Sequence, residues 1–579
     1  MKRTIPLVFS LLLSACAAPM ASHHGVAPVT VGIVAINDFH GSLEPPHQSV
    51  FVPDGKGGMV GVPAGGAAWL ASAIDSVRSK YPNHLTVSAG DLISASQIAS
   101  SIFLDEPAIG VANRIGLEFN AVGNHEFDQG REELLRKQTG GCAQHTARKP
   151  CQIEPFTGAQ FSFLAASTLT ESGATLFPAT AIKTFGKGRG KVTIGLIGLT
   201  LRDTSNLVSP DRIAGLRFVD EADTINALVP TLKQQGADAV VLLIHQGGRT
   251  AEGSDPSGCA DFIGDIKPVL DRLDVRVDVV ISGHTHWPYV CDYGAINPAK
   301  PFLLTSAGVY GELVTDMKLE IDPVTHRVVG KSAHNIVVQS APYLATRGPV
   351  ANSDVVPRFA PRADVSAYVA RYVDAAKGYS QRVVGSLAGP AGKNSNKQID
   401  QGGALGNLLA DAQLAATAGA GAQIAFMNPF GIRANIVPDP DGKVTFGMIY
   451  QVQPFNNQLM TQTVTGAELK AILEQAVRPN APVEFLTPSQ GFSYVVDPKG
   501  ADGRRVISMT FNGKPVDPAA QYRVTTSSFL GNGGDGFSLF LSARDKVLGV
   551  TDIEALEGWL KAIPPRPVPG ESRVTQTGN

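Results

Sequence analysis

Residues 31–40 read Val-Gly-Ile-Val-Ala-Ile-Asn-Asp-Phe-His, a short apolar run that stops on Asp38 and His40, two side chains able to hold a metal ion. The same arrangement returns four times. Residues 85–87 lead to Gly90-Asp91, 119–122 to Gly123-Asn124-His125-Glu126, 239–244 to His245, and 277–281 to Gly283-His284-Thr285-His286. Runs of this length, mostly rich in β-branched residues, read as buried strands. In open α/β sheets the crevice lies beyond the carboxyl ends of the strands, so five such ends are expected to converge on one site. A single strand-end His or Gly-Asp pair is an ordinary turn feature. Five in series are not.

At 579 residues the chain exceeds what one hydrophobic core supports. Residues 28–345 alternate strand runs with helix-like stretches, as at 65–81 and 221–235, which predicts a layered α/β domain. Residues 346–379 read as a linker followed by a connecting helix at 365–376. A second, smaller mixed α/β domain is expected over 380–562, with helices at 406–416 and 467–477 and strands at 422–427 and 521–526. The Pro-, Arg- and Thr-rich tail, 563–579, is expected to be disordered. Lys plus Arg number 49 and Asp plus Glu 51, so no bulk field draws the chain to nucleic-acid polymers or anionic membranes. Any anion must be caught locally.

Lys2 and Arg3 precede an apolar stretch, 5–13, too short to cross a bilayer, so residues 1–16 read as a secretion signal. Leu13-Ser14-Ala15-Cys16 resembles a bacterial lipobox, which implies lipidation of Cys16 and contact with a membrane only through that anchor. Ala17 in place of Asp tilts the expectation to the outer membrane, facing the periplasm. Four further cysteines allow three pairings in an exported chain. Cys142 with Cys151 and Cys259 with Cys291 is the expected set, since the spacings do not suit a zinc knot.

Asp38, His40, Asp91, Asn124, His245, His284 and His286 form a mixed oxygen and nitrogen ligand set, suited to Zn, Mn, Fe or Co rather than to Mg or Ca. Seven ligands exceed one tetrahedral ion and fit two, with Asp91 the candidate bridge. Two such cations, roughly 3.5–4 Å apart, clamp the attacking and leaving oxygens of an in-line displacement and generate hydroxide near neutral pH. Asp128 lies three residues beyond His125, so on a helical turn it can orient that ring and hold it charged, ready to stabilise or protonate a leaving alkoxide.

These strings resemble the signature of calcineurin-like metallophosphoesterases. The Phe127-Asp128 that follows Glu126, together with residues 428–433 (Asn-Pro-Phe-Gly-Ile-Arg) and 532–537 (Asn-Gly-Gly-Asp-Gly-Phe), makes the chain similar to the secreted two-domain 5′-nucleotidases. The resemblance implies a four-layer metallophosphoesterase α/β sandwich joined to a substrate-binding domain that rotates over the site. It also implies that the ligand set above holds two ions and that His125 and Asp128 act as a dyad. In the second domain it implies that Arg433 grips phosphate, Phe455 and Phe529 stack on the base, Asn428 reaches the base and Asp535 binds the ribose hydroxyls. The physics of each group agrees with its implied role.

The chain departs from the family pattern where further phosphate-binding arginines usually sit. Those stretches offer Gln401, Gly402 and Asp439, with Lys397 nearby, so a clamp of one arginine is expected, which leaves substrate preference open. Three functions fit the sequence. One is release of phosphate from 5′-nucleotides; another is the same dimetal chemistry on nucleoside diphosphate sugars, 2′,3′-cyclic nucleotides or a non-nucleotide substrate. The third is a lipoprotein binding module with a structural metal, against which the open ligand set and His125 weigh.

Overall fold

The computed structural model of the chain describes residues 27–577 apart from 209–211, 252–254, 346–347, 397–398 and 479–482. The expected signal segment with Cys16, part of the expected linker and Lys397 lie outside the described residues. In the first domain the strand Val29–Ile36 has six consecutive buried residues, because it sits at the centre of a sheet covered on both faces. It runs antiparallel to Leu313–Asp322 and parallel to His84–Ser88, and Phe119–Ala121 and Ser162–Leu164 continue the parallel series. A second six-stranded sheet is built around Val192–Thr200, Ala239–His245 and Val279–Ser282, all parallel.

The two sheets face each other through a layer that includes Val31, Ile33, Ala35, Leu196, Val241 and Ile281. Their outer faces carry the alternate residues. Val34 and Ile36 pack on helices Ala67–Arg78 and Glu106–Arg114, while Val240, Leu242 and Ile244 pack on Glu221–Gln234 and Lys267–Arg272. The result is the four-layer sandwich, helix on sheet on sheet on helix, with the parallel strands' carboxyl ends at one rim. Cys142 is bonded to Cys151 and Cys259 to Cys291.

The connecting helix Ala363–Ser380 extends beyond its expected bounds and packs into the first domain, burying Val365, Tyr368, Tyr372 and Ala376 among its outer-layer residues. Arg114 lies 3.5 Å above the Tyr368 ring, and the Tyr372 hydroxyl donates to Glu154. The second domain has a five-stranded mixed sheet in the order Thr487–Pro488, Ile424–Met427, Gln521–Ser527, Gln458–Thr465, Arg544–Thr551. Helices Gly403–Ala416 and Asp552–Ala562 cover one face and Gly466–Glu474 the other.

The tail corrects the expectation of disorder. Arg566 donates to the Trp559 carbonyl and its own backbone pairs beside Leu387. Arg573 is 6 % exposed and grips Asp411 with bonds of 2.7 and 2.9 Å, and Val574–Gln576 adds a parallel strand beside Phe492–Val496. Composition misled because the segment gains order from a buried ion pair and a sheet edge, neither of which local sequence reveals. Removing one partner of such a pair strands the other charge, at about 3–5 kcal/mol. Arg573→Ala is therefore expected to destabilise the second domain by about that amount in urea unfolding; an unchanged midpoint would show that the tail is not part of the fold.

Candidate active site

Three of the five strand ends deliver their candidate ligands through an unusual backbone, while Asn124 is right-handed and His245 ends its strand in regular geometry. Asp38, His40, Asp91, His284 and His286 all lie in the left-handed region, with φ of 48°, 47°, 50°, 71° and 59°. For residues other than glycine this costs about 1–3 kcal/mol each and persists only where the surroundings enforce it. The enforcing contacts are visible. Glu126 is fully buried, and its carboxylate accepts from the backbone N–H groups of Gly123, Asp91 and Leu92 at 2.5, 2.9 and 2.7 Å, fastening two strand-end loops together. Asn37 ties Asp38 to the neighbouring strand end by donating to the Gly308 carbonyl and accepting from the Ala307 N–H. The backbone of His284 donates to both Asp38 oxygens.

The glycines in the motifs are explained by closeness. A Cβ on Gly123 would lie 2.2 Å from Asp91 Oδ1, and one on Gly90, whose φ is 95°, would lie 2.6 Å from His245 Nδ1. No side chain fits at either place.

The side chains gather into two adjoining groups, Asp38 with His40 and His286, and Asp91 with His245 and His284. His40 Nδ1 lies 2.9 Å from the Ser94 carbonyl and His245 Nδ1 2.8 Å from that of Ala89. An Nδ1–H donated to a carbonyl leaves Nε2 as the inward-facing atom, the arrangement that orients metal-binding imidazoles. His40 Nε2 stands 3.2 Å from His286 Nε2, and His245 Nε2 stands 3.0 Å from Asp91 Oδ2 and 3.1 Å from Asn124 Oδ1. Asp91 Oδ2 is also 3.8 Å from His40 Nε2, so this carboxylate touches both groups.

Lone pairs crowded this closely repel one another unless protons or cations lie among them. The donor set, three carboxylate or amide oxygens and four imidazoles, fits two divalent ions of the borderline type.

Charge states agree with that role. Burial pushes His284 down to about 3 and His40 well below its usual value, so both are neutral ligands. Burial opposes ionisation of Asp91, but His245 and His125 hold it well below the usual carboxylate range. His245 is the exception: burial lowers it, and Asp91 and Asp38 hold it up at about 10.

Beside the two groups, His125 Nδ1 bonds Asp128 Oδ2 at 2.7 Å across the turn His125–Phe127. Burial would discharge this imidazole, yet the carboxylates of Asp128 and Asp91 raise its pKa. On its far side the second domain arrives. Phe455 stacks on the His125 ring at 5.7 Å, and Arg433 Nη2 lies 3.4 Å from His125 Nε2.

A cavity of about 950 Å³ runs from the metal ligands past these residues, with Asn428, Phe529 and Asp535 in its wall. The wall carries more positive charge than a clamp of one arginine, because Arg148, Arg212, Arg249, Lys393 and Arg478 also line it. Nothing in their local sequence marks these five. Glu126 was legible only as part of a motif, without its clamping role.

Residues 32–288 match the calcineurin-like phosphoesterase family and residues 383–542 the 5′-nucleotidase C-terminal domain. The chain is 28 % identical over 92 % of its length to "Endonuclease YhcR" of Bacillus subtilis and spans 40 % of that protein. It is 25 % identical to the "NAD 5′-nucleotidase" of Haemophilus influenzae, covering 92 % of this chain and 89 % of the relative. The solved structure of a 5′-nucleotidase precursor from Thermus thermophilus shares the fold, with a TM-score of 0.70 at 24 % identity, covering 95 % of this chain and all of the other.

Since His245 is protonated near neutral pH and must be neutral to ligate, metal binding should release a proton there, and affinity should rise about tenfold per pH unit between pH 6 and 9. Elemental analysis should find two ions per chain, falling to one in His245→Ala. A pH-independent affinity would contradict the assignment of His245.

Proposed function

The chain belongs to the calcineurin-like phosphoesterases in its first domain and to the 5′-nucleotidase family in its second, and from that premise we propose that it releases phosphate from 5′-nucleotides. The observation that carries this reading is the approach of Arg433 to His125. Two cationic groups from separate domains, 3.4 Å apart, repel each other unless an anion is shared between them, and the position beside the metal ligands is where a phosphate would sit.

Asp38, His40, Asp91, Asn124, His245, His284 and His286 would hold two divalent cations. When bound, these supply Lewis acidity toward the phosphoryl oxygens and lower the pKa of water. The protein's own groups do the rest. Asp128 accepts from His125 Nδ1–H and keeps Nε2 protonated and pointed at the phosphate, where it offsets developing charge and passes a proton to the departing ribose oxygen.

Arg433 presents its fork to the phosphate edge, and the ring of Phe455 backs the guanidinium at 5.3 Å. Phe455 and Phe529, half-buried in the cavity wall, offer aromatic faces to the base. Asn428 would reach the base and Asp535 would accept from the ribose diol. We also infer that the enzyme works outside the reducing cytoplasm, which its two disulfides suit, and that Cys16 carries a lipid anchor.

Purified protein is expected to release phosphate from AMP, to stop with a chelator, and to recover with Mn, Zn or Co. His125→Ala should lower kcat by about 10²–10⁴ while retaining two metal ions. Phe455→Ala combined with Phe529→Ala should raise KM for AMP at least tenfold, at roughly 1–3 kcal/mol per ring, and change a small aryl phosphate little. Equal losses on both substrates would remove the base-stacking role.

A further inference from the structure

Behind the Asp535 loop lies a carboxyl group that the reading above does not use. Glu484, on the strand Val483–Phe485, is 0 % exposed, and among the described residues neither of its oxygens has a well-formed hydrogen-bond donor. Arg478 approaches only to 3.9 Å, beyond hydrogen-bonding reach. The Phe430 N–H and a second acceptor, the side chain of Asp535, both lie beside the carboxyl.

Two carboxyl groups in contact, one of them shut away from water, are stable only when they share one proton. Asp535 already accepts from Asn428 and faces the cavity, whereas Glu484 is enclosed without a close donor, so the shared proton resides on Glu484, and burial beside the Asp535 charge raises its pKa in the same sense. Asp535 in turn is held in a left-handed turn, φ 53°, and one of its oxygens, Oδ2, already accepts from Asn428 Nδ2 at 2.7 Å.

We propose that Glu484 is a positioning residue: as a carboxylic acid it donates to Asp535 from behind and, together with Asn428 Nδ2, fixes that carboxylate so that its remaining lone pairs face a vicinal diol in the cavity. The preference that results is for ribonucleotides over nucleotides lacking both hydroxyls. Glu484 touches no substrate; it acts through Asp535. This inference rests on the nucleotide reading of the site.

The test compares KM for AMP with KM for 2′,3′-dideoxy-AMP in the metal-loaded enzyme. Wild type is expected to favour AMP. Glu484→Met, which keeps length and burial but removes the donor, should raise KM for AMP about tenfold with kcat within about twofold, so that the ratio between the two substrates collapses toward one. Glu484→Gln keeps an N–H donor for Asp535 and should retain the ratio. A Met variant with the wild-type ratio, or a Gln variant as indiscriminate as Met, overturns the proposal. Should the Met variant not fold, the Gln variant decides alone by keeping or losing the ratio. A wild type that does not turn over AMP overturns the nucleotide reading itself, and this inference with it. One that turns over both substrates alike overturns only the inference.

Discussion

The structure is organised around a charge problem: Asp38 and Asp91 are both fully buried, both ionised, and adjacent. An uncompensated buried carboxylate costs several kcal/mol, and without metal it is the charge on neighbouring imidazoles, His245 foremost for Asp91, that offsets it. Divalent cations complete the compensation, and the surrounding architecture serves to bring oxygen and nitrogen donors to them. Parallel strands of two facing sheets end at one rim, so ligands far apart in sequence arrive from both sides. The distance is too short for ordinary loops. Hence the left-handed residues and the glycines pressed against ligand atoms.

The second domain answers the complementary requirement. On the proposed reading, a site holding two cations beside a charged His125 would attract an anion, yet affinity without selectivity would admit any phosphate. Arg433 adds a directional contact, and Phe455 bridges the two functions by stacking on His125 with one neighbour and backing Arg433 with another. These contacts join the two domains. Ser101 Oγ donates to the Tyr450 hydroxyl at 2.7 Å and Arg148 reaches the same hydroxyl, so the domains also meet through polar contacts near the connecting helix. Such contacts exchange readily for water.

Much of this was legible in the chain because strand ends carry ligands in fixed motifs. The runs that end at Asp38, Asp91, Asn124, His245 and His284 are local in sequence, and local patterns survive folding. Val192–Thr200, nine buried residues between ligand-bearing strands, carries no ligand and so gave no functional signal. Lys393, Arg249 and Arg478 reach the cavity from loops and a helix end whose sequence is ordinary; their role depends on where the domain edges meet. The ordered tail failed for the same reason. Arg573 looks like a solvated charge until Asp411, 162 residues earlier, is placed beside it.

Glu126 links these levels. It sits inside a motif readable from sequence, but its contribution is mechanical: three backbone N–H groups from two loops converge on one carboxylate. Strain of about 1–3 kcal/mol at each left-handed ligand would relax if either loop could move. Because the loops are tied to each other and to strands packed between two helical layers, relaxation of one ligand would have to disturb the whole rim. The rigid sandwich therefore does more than carry the site; it keeps ligands in conformations that they would not hold alone, so the cations meet a cage already shaped for them and little reorganisation accompanies catalysis.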